Sequence, residues 1–200
     1  MTKIGITERG DAAINYDWVE WVSSNKPAIL ITKNILKLAR FLKNQIFEKD
    51  NLIVHATITG MGGTIIEPNV PELNESIIGL KEILEIIPKE KIVIRIDPIV
   101  PTQKGIETAK EVYESTKSLK IKRYRISFLD LYKHVKERFA IENIELPWTE
   151  FHAPIELRKK AVELLKIPDI EICGEPDFNC TGCISQIDLN LLKIKEQIFS

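Results

Sequence analysis

The sequence predicts an α/β domain whose parallel sheet curves into a partial barrel, and three observations lead there. Six short β-branched runs recur through the 200 residues, helically spaced segments lie between most of them, and most runs are apolar on one side and polar on the other. Strand–helix alternation favours parallel strands joined by right-handed crossovers. An open sheet covered by helices on both faces needs strands that are apolar on both, and an ordinary barrel interior is filled by branched apolar side chains. One consistently polar face fits neither, so the expectation is a partial (β/α)6 barrel, TIM-like, with a polar lumen. An open sheet with one face in solvent is the alternative.

The runs, in order, are Ile4 to Thr7, Ala28 to Thr32, Ile53 to Thr59, Ile92 to Ile96, Tyr124 to Phe128 and Ile170 to Cys173. Trp18 and Trp21 read as helix anchors after the first. Helical spacing is carried by Ile35, Leu38, Ala39, Leu42 and Ile46, then by Ile77, Leu80, Ile83, Leu84 and Ile87. Val112, Thr116 and Leu119 carry it next, and Ile155, Leu157, Ala161, Leu164 and Leu165 precede the last run. Successive strand residues face opposite ways. Ile4, Ile6, Val54, Ala56, Ile58, Ile92, Ile94, Ile96, Tyr124, Ile126, Phe128, Ile170 and Ile172 are therefore expected toward helices. Thr7, Arg9, His55, Thr57, Thr59, Arg95, Asp97, Arg125, Ser127, Glu171 and Cys173 share the other side. So many charges are costly to bury unless they pair or meet a polar ligand, which makes that side the candidate site. His55 begins its strand, near the bottom of such a barrel, and reads as structural.

One domain spanning residues 1–200 accounts for the length. Lys and Arg total 28 against 29 Asp and Glu, so no global field draws the chain to nucleic acid or to an anionic membrane. No apolar run approaches the ~18 residues of a membrane span, and the first residues lack a signal-peptide core. All three cysteines fall within one segment, an odd number that makes a poor disulfide framework and suits a reducing compartment. A soluble cytoplasmic protein is expected.

The cysteines form a C-x6-C-x2-C array, Cys173, Cys180 and Cys183, in the loop 173–183. Thiolates are the ligands of iron–sulfur clusters, and three of them leave one iron of a 4Fe-4S cube without a protein ligand. Zinc is the rival, with Glu175 or Asp177 as fourth ligand. Reactive or incidental cysteines are the remaining reading. Gly182 either turns backbone N–H groups toward cluster sulfurs or makes an ordinary tight turn.

Arg95 and Asp97 stand two apart on one strand, hence on one face. Arg95 suits a carboxylate through paired hydrogen bonds, and Asp97 suits a ribose hydroxyl or the arginine itself; a purely structural pair is the alternative. Arg9 with Asp11, and Ser127 with Asp130 and Lys133, are read the same way. Thr59-Gly60-Met61-Gly62-Gly63 lacks the phosphate-loop lysine and reads first as a turn. Glu67 and Asn69, in a connection stiffened by two prolines, reach a ligand or cap the next helix. His134 and His152 show no metal spacing.

Several pieces together resemble a known family. Ile6 to Asp11, Thr32-Lys33-Asn34, Thr57 to Gly62 with Ile66 to Pro71, Arg95-Ile96-Asp97-Pro98, Ile126 to Asp130 with Tyr132-Lys133, and Cys173 to Ile184 are similar, in order, to the microbial family called domain of unknown function 1848. Its C-terminal cysteine cluster is described as similar to the N-terminal cluster of radical SAM enzymes. The Arg95 to Pro101 segment resembles the fourth strand of those related to spore photoproduct lyase.

The resemblance implies a barrel of radical SAM type, a 4Fe-4S cluster on Cys173, Cys180 and Cys183, and S-adenosyl-L-methionine (SAM) beside it. Arg9, Lys33, Asn34, Thr59, Arg95, Asp97 and Ser127 are then the candidate cofactor-binding residues. It also implies an external electron donor and a small-molecule or otherwise unnamed substrate, with a nucleic-acid lesion the less favoured one at this net charge. Radical SAM enzymes usually carry C-x3-C-x2-C after the first strand, whereas here the array follows the last, an arrangement similar to that of phosphomethylpyrimidine synthase. In a closed or nearly closed barrel those two strands are neighbours.

Overall fold

The computed structural model describes residues 3–7, 10–46 and 48–193. Six strands, β1 (Gly5–Ile6), β2 (Ala28–Thr32), β3 (Leu52–Thr57), β4 (Ile92–Ile99), β5 (Arg123–Phe128) and β6 (Glu171–Ile172), form one sheet in the order of the chain. Every neighbouring pair is parallel. The helices are α1 (Trp18–Ser23), α2 (Ile35–Lys43), α3 (Leu73–Leu84), α4 (Gln103–Thr116), α5 (Lys133–Ile141), α6 (Ile155–Leu165) and α7 (Gln186–Leu191). The α/β class and the strand–helix alternation are as expected, with β1 and β6 at the two ends of the strand order. Among the described residues no helix is long and apolar enough to cross a membrane.

Side-chain parity divides the sheet into two faces. Leu30, Leu52, Val54, Ala56, Ile92, Ile94, Ile96 and Ile126 pack in one core with Val22, Leu38, Leu42, Leu80, Ile83, Ala109, Val112 and Ala161 of the surrounding helices. Removing that apolar surface from water is the main favourable term, at ~25 cal/mol for each Å². Local signals set the helix starts: Asn34 accepts from Lys37 N and caps α2, and the Thr102 hydroxyl accepts from Gly105 N at the start of α4. Both tryptophans anchor the first helix. Trp18 donates to Ala12 O at 3.0 Å, and Trp21 donates to Pro27 O at 3.0 Å.

The opposite face is apolar at one end only. Ile29, Ile53 and Val93, with Ile4, Ile6 and Ile31, pack against Leu189 and Leu192 of the α7 segment. This corrects the expectation that Ile4 and Ile6 face the outer helices. Ile6 pairs with Ile29, so it takes the parity of Ile29. Gly5 takes the outer side, where an added Cβ would lie 2.9 Å from the Trp21 ring. The third strand also ends earlier than expected, at Thr57, and the fourth runs on to Ile99 across a shift in register after Ile96.

Helices α2 and α3 meet at Gly79, where a Cβ would lie 2.5 Å from both Leu36 N and Ile35 Cγ2. Because one of those atoms is backbone, a side chain cannot be accommodated by a rotamer change. Gly79→Ala is expected to destabilise the fold by about 2 kcal/mol in denaturant titrations, despite the ~1 kcal/mol that alanine gains in helix propensity. A neutral or stabilising effect would contradict the close approach of the two helices.

Candidate functional site

The register sorts the inner face into levels. Ile31, His55, Val93 and Arg123 lie side by side, and above them stand Thr57, Arg95, Arg125 and Glu171. Two residues further along their strands come Asp97, Ser127 and Cys173, at the C-terminal edge of the sheet. The polar half of this face thus runs from beneath α7 up to the cysteine loop.

Its lower part is a buried ionic quartet. Arg123 donates from Nε to Glu171 at 3.0 Å and from Nη1 to Asp188 at 2.8 Å. Arg125 donates from Nε to Glu171 at 3.0 Å, from Nη2 to Asp188 at 3.2 Å, and from Nη1 to the Cys183 carbonyl at 2.8 Å. Asp188 also accepts from Ser185 N at 2.8 Å, closing a capping box at the start of α7. Two guanidinium groups and two carboxylates balance, the condition under which buried charge is tolerated. Burial pushes the Asp188 carboxyl up, but the charge and hydrogen bond of Arg123 more than reverse this and hold it at about 2. His55 is fully buried among these charges, and both its ring nitrogens lack partners among the described residues. Burial, reinforced by the Arg125 charge, keeps it well below its ordinary 6.5.

Above the quartet the predicted binding residues gather on two carboxylates. Glu67 accepts from Lys33 Nζ and the Thr59 hydroxyl, and Asp97 accepts from Arg95 Nη2 and the Ser127 hydroxyl. Arg95 is buried, and its Nε has no partner among the described residues. Asp11 binds the Thr32 hydroxyl at 2.6 Å and Lys33 N at 2.7 Å, tying the loop after β1 to the end of β2. Between these groups opens a cavity of about 450 Å³, lined by Thr7, Thr32, Lys33, Thr57, Arg95 and Asp97 among others. Asn34 is spent on capping α2. Arg9 lies outside the described residues.

The cysteine loop continues from the edge strand. Cys173 N donates to Ile126 O at 2.9 Å, and the chain returns so that Thr181 N donates to Ile172 O at 2.9 Å. Cys173 and Cys183 place their sulfurs 3.7 Å apart, while the exposed Cys180 sulfur accepts from Gly174 N at 3.1 Å and Gly182 N at 3.3 Å. Both glycines have positive φ, 75° and 69°, which only glycine adopts at little cost; a Cβ on Gly174 would project into open space, and one on Gly182 would meet Ile184 O at 4.0 Å. The hydrogen bond with Cys183 lowers the Cys173 thiol to about 7; burial opposes this, and Arg95 and Arg125 add to it.

Three soft donors, backbone N–H groups directed at sulfur, neighbouring cations and free space beside the loop all suit an iron–sulfur cluster. Glu175 and Asp177, the carboxylates that would complete a zinc site, both meet Arg158. Buried Glu175 accepts from Phe128 N at 2.9 Å and Arg158 Nη1 at 2.7 Å, and Asp177 accepts from Arg158 Nη2 at 2.6 Å. Among the described residues no three His, Cys, Asp or Glu side chains converge as a cage for a single ion.

A family model described as domain of unknown function (DUF1848) matches residues 18–197. The chain belongs to this family. The DUF1848 match runs from the first residue of α1 past α7, and so takes in the quartet, the two organising carboxylates and all three cysteines. No curated protein matches the chain. Within this DUF1848 chain Glu175 was read only as a zinc ligand, and the residues that sequence reasoning passed over are Arg123, Arg158 and Asp188. The Ser185-x-x-Asp188 pattern ahead of Leu189, Leu191 and Leu192 was the available signal for the last of them.

Two outcomes follow from this geometry. Unfolded, Asp188 takes up its proton near pH 3.8, and folded it resists protonation to about pH 2. Its contribution, on the order of 2 kcal/mol, is whole above the first value and lost as pH falls toward the second. His55 acts in the same direction from higher pH, because below 6.5 the unfolded chain binds a proton that the folded chain refuses. Denaturant titrations across pH should show both losses, and Asp188→Asn should flatten the lower one. Separately, Glu175→Ala leaves Phe128 N without its acceptor and takes from Arg158 the buried one of its two carboxylates. A loss of about 3 kcal/mol and faster hydrogen exchange at the Phe128 amide are expected, and unchanged exchange would contradict the clamp.

Proposed function

We propose that this chain is an iron–sulfur protein of radical SAM-like type, in which Cys173, Cys180 and Cys183 would hold a 4Fe-4S cluster and the cavity beside them would receive SAM. The observation that carries the reading is the register: Arg95 and Asp97, which line the cavity, share the inner face of the sheet with Cys173, two strands away at the same C-terminal edge. A cluster with one iron lacking a protein ligand, when bound, supplies an electron for the reductive cleavage of SAM.

The chain's own residues supply recognition and seclusion. The guanidinium group of Arg95 suits a carboxylate, and Asp97, fixed by Ser127, suits a ribose hydroxyl. Lys33 and Thr59, held on Glu67, frame the other side of the opening. Below, the apolar contact with α7 and the quartet keep water from entering through the sheet's lower end. The consecutive parallel order and the polar inner face support a sheet curved as a partial (β/α)6 barrel, open between β1 and β6. The exposure of Cys180 offers an edge for an external electron donor, and it also favours a second reading, electron transfer or redox sensing without SAM cleavage.

The test is anaerobic purification with iron–sulfide reconstitution, followed by electron paramagnetic resonance of the dithionite-reduced protein with and without SAM. A 4Fe-4S signal that SAM alters, and that any one of the three Cys→Ala substitutions removes, is expected. A signal indifferent to SAM leaves the electron-transfer reading. Stoichiometric zinc without a cluster overturns both.

A further inference from the structure

The cysteine loop holds its three sulfurs in two different ways. Cys173 and Cys183 face each other with Sγ atoms 3.7 Å apart, whereas the exposed Cys180 sulfur accepts from Gly174 N and Gly182 N. The sheet anchors both members of the close pair: Cys173 N donates to Ile126 O at 2.9 Å, and Arg125 Nη1 donates to the Cys183 carbonyl at 2.8 Å. A disulfide bond is ~2.05 Å long, so less than about 2 Å is left for side-chain rotation to close. Spacing alone favours a different bond, because Cys180 and Cys183 form a C-x2-C pair of the kind that redox proteins use.

We infer that Cys173 and Cys183 are a redox pair, which closes into a disulfide under a hydroperoxide when the loop carries no metal and leaves Cys180 as the one thiol of the chain. Cys173 is 5% exposed and Cys183 half-buried, so an oxidant from solvent meets Cys183 first. With hydrogen peroxide, the Cys183 sulfur attacks one oxygen, the O–O bond breaks, and a sulfenic acid forms as water leaves. The Cys173 sulfur then attacks Cys183 Sγ, the S–O bond breaks, and a second water departs. Two thiols give up two electrons and two protons, and the peroxide takes both. Closure withdraws two of the three soft donors, so the pair decides whether the loop can take up a cluster. That consequence rests on the iron–sulfur reading; the bond itself does not.

The experiment starts from the full chain, stripped of metal with a chelator, reduced and freed of added thiol, then treated with stoichiometric hydrogen peroxide. Thiols counted in denaturant should fall from three to one. After blocking with iodoacetamide and cleavage before Asp177, mass spectrometry should find Cys180 alkylated and Cys173 linked to the fragment that carries Cys183. Cys180→Ser should still close, from two thiols to none. The inference is overturned if Cys173 is the alkylated residue, if the thiols are lost as sulfinic or sulfonic acid, or if the count stays at three. Cobalt(II), which binds thiolates without added sulfide, should give a sulfur-to-metal absorption band with the reduced chain. The oxidised chain should lack that band until tris(2-carboxyethyl)phosphine reopens the bond, and equal bands in both states overturn the withdrawal of ligands. If the disulfide maps as stated but the reduced chain assembles no cluster from iron and sulfide, the iron–sulfur reading alone is refuted and the pair stands.

Discussion

The pairing of Arg123 and Arg125 with Glu171 and Asp188 is the constraint on which the rest of the site depends. These four side chains come from β5, β6 and α7, elements separated by as much as 65 residues of sequence. Each charge alone would be expensive to bury, and together they compensate only if all three elements arrive in one arrangement. The same arrangement lays the apolar side of α7 over Ile29, Ile53 and Val93, and it gives the Cys183 carbonyl a donor. Packing, electrostatics and the shape of the cysteine loop are consequences of a single geometry.

Two further carboxylates do for the open end what Asp188 does for the closed one. Glu67 gathers a lysine and a threonine from different strand ends, and Asp97 gathers an arginine and a serine. The Asp97 cluster does not exhaust its donors, since the Arg95 Nε lacks a partner among the described residues. The cavity therefore has walls already held in place before a ligand enters, which lowers the ordering cost of binding. Clamped through Glu175 to α6 and β5, the sulfur-bearing loop shares that preorganisation.

Most of this was legible in alternation and parity. Period-two patterning separated the helix-facing residues of β3, β4 and β5 from His55, Arg95, Arg125 and Ser127, because both faces of those strands are long enough to show it. β1 is too short for the pattern to carry information, and pairing with β2, a non-local fact, decided where Ile4 and Ile6 went. Arg123 was missed because its strand was read as starting at Tyr124. Asp188 was missed because its carboxylate works across the sheet from a helix that supplies the lid, although its capping pattern was visible. The zinc alternative leaned on Glu175 and Asp177, and only the folded position of Arg158 reveals that both also meet that arginine.

The place of α7 in the chain has a bearing on the order of events during synthesis. Every cysteine is made before Asp188, yet the carbonyl of Cys183 is held by an arginine that Asp188 helps to fix. A growing chain that has just completed its third cysteine lacks the helix that seals the lower end of the sheet and the carboxylate that balances its arginines. The loop therefore reaches its final shape only when α7 docks and Asp188 balances the arginines, one of which holds the Cys183 carbonyl.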